Sequence, residues 1–212
     1  MRKGTVFQKG TVFVVTAPSG AGKTTLVAAL LAADKDIHVS VSHTTRTPRE
    51  GEIPGHHYHF VDRITFEAML NRGEFLEYAE VYGHYYGTSE RWIREQIAAG
   101  RDILLEIDWQ GATQVRHAFP EAVGIFVLPP SIEALGERLR SRGKDTVETI
   151  DARLSVVRSE IDHVDEFDYI VVNEELERAV KDLIGIVRSE RLRAARQLAR
   201  RSRQIRAMQT HN

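Results

Sequence analysis

The stretch Ala17-Pro18-Ser19-Gly20-Ala21-Gly22-Lys23-Thr24 constrains this chain more than any other. It lies between the apolar run Val12-Phe13-Val14-Val15 and the helix-forming Thr25-Leu26-Val27-Ala28-Ala29-Leu30-Leu31. A strand, a glycine loop and a helix in that order make a cradle in which loop N–H groups wrap an anion and the helix aims its positive end at it. The phosphate loop is usually written G-x-x-x-x-G-K-[ST], and Ala17 stands here at the first glycine. That position mainly serves the strand-to-loop turn, which a small residue at negative φ can make. Gly20 and Gly22, which let the backbone approach phosphate, are both present, Lys23 offers a point charge to β- and γ-phosphates, and Thr24 offers a hydroxyl to Mg²⁺.

Beyond the loop, strands and helices alternate, which favours an α/β fold with a parallel sheet flanked by helices. The strand candidates are Val12 to Thr16, Ile103 to Ile107, Val123 to Leu128 and Tyr169 to Val172. Ser89 can cap a helix ending at Gly100, Ser131 one ending near Gly143, and Asp145 with Glu148 has capping-box spacing. Between about His38 and Gly87 short runs rich in Tyr, Thr, Gly and His suggest a small inserted subdomain, and the arginine-rich segment from Leu135 to Arg153 suggests a mobile lid. Lys3-Gly4-Thr5-Val6-Phe7 recurs as Lys9-Gly10-Thr11-Val12-Phe13, too brief an echo for a repeat architecture.

At 212 residues the chain suits one core with inserted subdomains, and its lack of cysteine excludes disulfides and thiolate metal sites. No apolar run reaches the ~18 residues of a membrane span, so a cytoplasmic protein is expected. Between Arg188 and Arg206 eight arginines face a single glutamate, so this tail carries +7 and the remainder −8. Leu183, Val187, Ala194 and Leu198 recur at near-helical spacing, which predicts a helix docked by that stripe with its arginines in solvent. Interleaved aromatics for base stacking are absent, which argues against nucleic acid. A homo-oligomer stays open.

A second cluster, Ser42-His43-Thr44-Thr45-Arg46-Thr47-Pro48-Arg49-Glu50-Gly51-Glu52, precedes Gly55-His56-His57-Tyr58. Arg46 and Arg49, in a loop stiffened by Pro48, make forked donors for a phosphate monoester, or else a solvated basic turn. Tyr58 and Tyr86 can add neutral hydroxyls. Glu106 and Asp108 end a strand beside the phosphate loop, where carboxylates hold Mg²⁺ or its waters, reach an acceptor, or cap the next helix. His57 and His59 would share a strand face, but no accompanying ligand spacing supports a metal there. Trp92 and Trp109 read as core or hinge packing.

Taken in order, "APSGAGKTT", "SHTTRTPREGE", "GHHYHF", "FLEYAEVYGHYYGTS", "LLEIDWQGA", "RLRSRGKDT" and "VVNEELERA" resemble guanylate kinase of the bacterial type, over about Gly10 to Arg188. The resemblance implies a P-loop nucleoside monophosphate kinase fold and ATP-dependent, Mg²⁺-dependent phosphorylation of GMP. It divides the chain into core (1–37), GMP-binding subdomain (38–95), core (96–134), lid (135–160) and core with a basic C-terminal helix (161–212). It assigns ATP contacts to Ala17, Pro18, Ser19, Gly20, Ala21, Gly22, Lys23, Thr24, Thr25 and Asn173, and metal contacts to Thr24 and Asp108. The GMP set is Ser42, Arg46, Arg49, Glu52, Tyr58, Glu77, Tyr86, Thr88 and Glu106; Thr88 stands where the family often has serine, and Glu106 where some members have aspartate. Lys23, Arg46, Arg138, Arg142 and Arg153 would stabilise charge during transfer. A kinase for another acceptor, such as a sugar phosphate, and a non-catalytic binding module of the same fold are the alternatives. The first sits poorly with Arg46, Arg49, Tyr58 and Glu77, and the second with the retained Lys23.

Overall fold

The computed structural model describes residues 10–81, 83–141 and 147–209, without the side chains of 147–149 and 151–153. Arg142, Asp145 and the 3–7 copy of the echo therefore lie outside the described residues, as do the side chains of Glu148 and Arg153. Five strands form the larger sheet: β1 (Val12–Thr16), β2 (Ile37–Val39), β7 (Asp102–Glu106), β8 (Val123–Leu128) and β9 (Tyr169–Val172). Their order is β2-β7-β1-β8-β9 and every pairing is parallel. Central β1 is buried along its whole length, as a strand covered on both faces must be.

Alternate residues of β1 build two cores. Phe13 and Val15 join Leu26, Val27 and Leu30 of α1 (Lys23–Ala33) and Leu183 and Val187 of α7 (Leu176–Leu192). Val12 and Val14 join Ile93 and Ile97 of α3 (Glu90–Ala98) and Ala112 and Val115 of α4 (Trp109–Ala118) on the opposite face. Ser89 caps α3 by accepting the Trp92 N–H, and the Ser131 hydroxyl takes the Ala134 N–H at the start of α5 (Ile132–Ser141).

The inserted segment builds its own four-stranded sheet, ordered β4-β3-β6-β5, from β3 (His43–Thr44), β4 (His59–Phe60), β5 (Phe75–Val81) and β6 (His84–Ser89), with α2 (Arg63–Asn71) beside it. Helices α5 and α6 (Val147–Ile161) pair through Leu135, Leu139, Ile150 and Val157, a third cluster separate from the two main cores. No helix among the described residues is long and apolar enough to cross a membrane.

Two expectations are corrected. Strand β7 runs from Asp102 to Glu106 rather than from Ile103 to Ile107, and Asp102 is buried with its Oδ1 accepting the Thr11 N–H at 2.8 Å. The predicted stripe docks only through Leu183 and Val187: beyond them Ala194 is exposed and Leu198 is 54% exposed, whereas Arg196 is 1% exposed. The chain turns extended at Arg193 (φ −55°, ψ 133°) before α8 (Ala194–Gln209), which rotates the arginine face inward. Arg191 pairs with Asp34 (2.5 Å) and Asp102 (2.6 Å), Arg200 pairs with Asp102, and Arg196 donates to the Thr11 hydroxyl and the Glu121 carbonyl. These contacts clasp the edge of the sheet where β1 and β7 begin, opposite the end that carries the phosphate loop.

Candidate active site

The loop from Ala17 to Gly22 leaves β1 and turns on an Ala21 N–H to Pro18 carbonyl bond of 3.1 Å. Gly20 and Gly22 sit at φ 90° and 94°, in the left-handed region that disfavours side chains. Space demands glycine too: a Cβ on Gly20 would lie 2.9 Å from Leu135 and Leu139, and one on Gly22 would strike the Asn173 amide. No side chain caps α1 at Gly22, so its first-turn N–H groups point into the loop.

Lys23 leads that helix and donates to the Ile107 carbonyl at 3.3 Å. Burial pulls its ammonium below the usual lysine range, and the carboxylates of Glu106, Asp108 and Glu160 resist that pull. The Thr24 hydroxyl donates to Glu106 at 2.7 Å, which sets Glu106 against the phosphate loop. Asp108 caps α4 by accepting the Gly111 N–H (2.8 Å) and also lines the cleft, so the cap and the site share one residue. That cleft, of about 610 Å³, is bounded by the loop, Lys23, Thr24, Thr25, Glu80, Asp108, Trp109 and Glu160.

Glu160 escapes sequence reasoning, because the lid segment draws attention to its arginines. It is the penultimate residue of α6, where the Ser19 N–H and Lys23 favour its charge while burial pushes its carboxyl upward more strongly. Its Oε2 is buried with no hydrogen-bond partner. Trp109 stacks on His163 just beyond α6, with ring centres 3.6 Å apart, so it is a packing contact at the cleft rim.

The second cluster gathers on the smaller sheet. Register sets Glu77 opposite Thr88 and Ala79 opposite Tyr86, while Thr44 pairs with Tyr86 from the other side. Arg46 lays its guanidinium 5.5 Å from the Tyr58 ring centre, and Tyr58 meets Tyr86 edge-on at 5.8 Å. Glu52 holds Arg46 with two bonds (2.8 and 3.0 Å) and accepts the Arg49 N–H at 2.7 Å. The Arg46 contact holds the Glu52 carboxyl below the usual range. The Arg49 side chain stands in solvent. Burial pushes the Tyr58 hydroxyl up, so it stays a neutral donor.

Glu77 is 3% exposed and its carboxyl is pushed up to about 7, chiefly by burial and further by Asp108, against the stabilising bonds from Thr88. Ser42 and Thr88 hydroxyls stand 3.2 Å apart beside it. A buried carboxylate, two hydroxyls and a basic fork on one small sheet suit a polar ring with adjacent N–H donors and a phosphate tail.

Asn173 and Arg138 meet beside the phosphate loop. The Asn173 side-chain amide is buried under the loop and donates to the Ala21 carbonyl at 2.7 Å, while the Asn173 backbone carbonyl accepts from Arg138 at 2.9 Å. His57 Nδ1 accepts the Ile53 N–H, and His59 stacks on His43 at 4.7 Å. No group of three or more His, Asp or Glu side chains among the described residues is arranged to hold a metal.

The guanylate kinase family profile matches residues 9–190. A guanylate kinase of Chromobacterium violaceum is 60% identical over 201 residues, covering 95% of this chain and 96% of that protein. One from Aromatoleum aromaticum is 59% identical over 188 residues, 89% of this chain and 92% of that protein. The crystal structure of guanylate kinase from Anaplasma phagocytophilum superimposes with a TM-score of 0.74 at 35% identity, over 90% of this chain and 91% of that one. Sequence and fold agree, and the chain belongs to the guanylate kinase family.

Proposed function

We propose that the smaller sheet holds GMP, with guanine at Ser42, Glu77 and Thr88 and the phosphate at Arg46, Arg49, Tyr58 and Tyr86, while the glycine loop holds the ATP phosphates. The chain is an ATP-using kinase whose reaction is phosphorylation of GMP to GDP. The observation that carries the acceptor assignment is Glu77, a buried carboxylate without a cationic partner among its stated contacts, beside two hydroxyls. Guanine presents adjacent N1–H and N2–H₂ donors that one ionised carboxylate can accept together. Adenine presents an unprotonated N1 there and would leave the carboxylate unpaired, a mismatch that discriminates by orders of magnitude.

Phosphoryl transfer asks for alignment and charge stabilisation rather than covalent help. Lys23 meets the β- and γ-phosphate oxygens, the loop N–H groups fix the chain of phosphates, and Arg46 and Arg49 aim the acceptor oxygen. Glu52 keeps the Arg46 fork oriented until phosphate arrives. Arg138, with Arg142 and Arg153 from the lid segment, adds positive charge over the transferring group as α5 and α6 close. Magnesium fits this site, since Thr24 and Asp108 are hard oxygen donors at the loop and the ion normally takes its other ligands from phosphate and water. When bound it supplies charge neutralisation to the β- and γ-oxygens.

ADP release coupled to a colour reaction, with GMP, AMP, CMP and UMP in turn, tests the acceptor. GMP is expected to lead AMP by at least about a thousandfold in kcat/KM, and equal rates would end the guanine assignment. Glu77→Gln is expected to cut the GMP to AMP ratio by about a hundredfold while ATP affinity stays within twofold. If ATP affinity collapsed as well, Glu77 would be structural.

Acidity probes the same carboxyl. With Glu77 titrating at about 7, its acceptor form disappears below that pH. kcat/KM for GMP, which reports the free enzyme, is then expected to fall by roughly tenfold per unit below pH 7, a slope that Glu77→Gln removes. Stability runs the other way: because folding raises this carboxyl from 4.5 to about 7, its contribution is complete below 4.5 and is lost as pH rises through 7. At pH 8 the Glu77→Gln protein is therefore expected to be more stable than the parent, on the order of 2–3 kcal/mol by urea unfolding.

A further inference from the structure

Strand β5 carries Glu77 along the edge of the smaller sheet, where one row of backbone groups lacks a strand partner. A side chain from the core domain fills that gap. Gln114, half-buried in the middle of α4, accepts the Tyr78 N–H with its Oε1 (3.1 Å) and donates its Nε2 to the Tyr78 carbonyl (2.9 Å). The amide thus pairs with β5 as one residue of a neighbouring strand would. The Tyr78 N–H belongs to the same planar peptide as the Glu77 carbonyl, so this bond fixes the backbone from which the Glu77 side chain departs.

One turn earlier, the same helix touches the carboxylate itself. A Cβ on Gly111 would lie 2.8 Å from Glu77 Oε2, so only glycine leaves the acid room. Gly111 also donates its N–H to Asp108, and Asp108 opens α4 beside the phosphate loop. Residues 108, 111 and 114 therefore run along one helix from the ATP cradle to the base-reading acid.

We propose that Gln114 is a positioning residue for the acceptor: its amide sets where Glu77 stands relative to the phosphate loop, and so sets selectivity for guanine. The proposal rests on Glu77 as the guanine reader. Gln114→Leu keeps the bulk and removes both bonds. KM for GMP is expected to rise about tenfold and the preference for GMP over IMP, which lacks the N2 amine, to fall about tenfold, while KM for ATP stays within twofold. In a Glu77→Gln background the Gln114→Leu change is expected to add no further loss in GMP use, because both act through one contact.

A role confined to stability would lower the melting temperature and leave the GMP to IMP ratio and KM for GMP unmoved; that result overturns the proposal. So does full additivity in the double variant. Should Gln114→Leu fail to fold, Gly111→Ala presses on the same carboxylate from the same helix, and an unchanged GMP to IMP ratio there overturns the proposal equally. If Glu77→Gln alone leaves GMP preference intact, the guanine assignment fails instead, and the two failures are told apart.

Discussion

Lys23→Met leaves a protein that binds GMP normally and transfers phosphate at least about a thousandfold more slowly, as expected when a principal electrostatic donor to a transferring group is lost. The ammonium is half-buried at the start of α1, where among the described residues it hydrogen-bonds the Ile107 carbonyl at 3.3 Å, which leaves donors for an anion. Desolvation makes each of its charge contacts stronger than in water. No solvated lysine can replace it, because the loop glycines bring backbone, not side chains, to the rest of the anion. The measurement is ADP release at saturating ATP and GMP, with GMP binding followed by calorimetry. Turnover within tenfold of the parent would remove Lys23 from the transfer step, and a matching loss of GMP binding would show a damaged fold.

The second large effect is on stability and lies at the other end of the sheet. Asp102 is 1% exposed and accepts from the Thr11 N–H, Arg191 and Arg200 at once. Breaking a buried ion pair by removing one partner costs about 3–5 kcal/mol, because the abandoned charge stays out of water. For a chain of this size each kcal/mol moves the melting temperature by about 2–4 °C. Asp102→Ala is therefore expected to melt about 10 °C below the parent, followed by circular dichroism. A loss under about 2 °C would mean that the two arginines and the Thr11 N–H find water or other acceptors when the carboxylate is gone. GMP preference is expected to be unaffected in the folded fraction, since Glu77 lies on the other sheet.

The parts of the molecule legible in the sequence are those whose partners are close along the chain. The strand, loop and helix from Val12 to Ala33 follow from local pattern, and so do the caps at Ser89 and Ser131. The proposed acceptor cluster is legible through the family motifs, and the register of β5 against β6 sets Glu77 and Thr88, eleven positions apart, side by side. Contacts spanning most of the chain are not legible. Arg196 meets Thr11 across 185 positions, and Arg191 meets Asp102 across 89. Hydrophobic periodicity ranks Leu198 above Arg196 for burial, and the long-range acceptors reverse that order. Gln114 and Glu160 were hidden for a related reason: a glutamine within a helix and an acid among arginines carry no local signature until the element opposite is known.

The tail clasp has a consequence for how the protein is made. Its acceptors, at Thr11, Asp34, Asp102 and Glu121, leave the ribosome well before Arg191, Arg196 and Arg200, which lie much further along the chain. Chains grow at about 5–20 residues per second. For several seconds, then, Asp34 and the buried Asp102 stand without counter-ions that have not yet been translated, and the clasp closes only after Arg200 has left the ribosome.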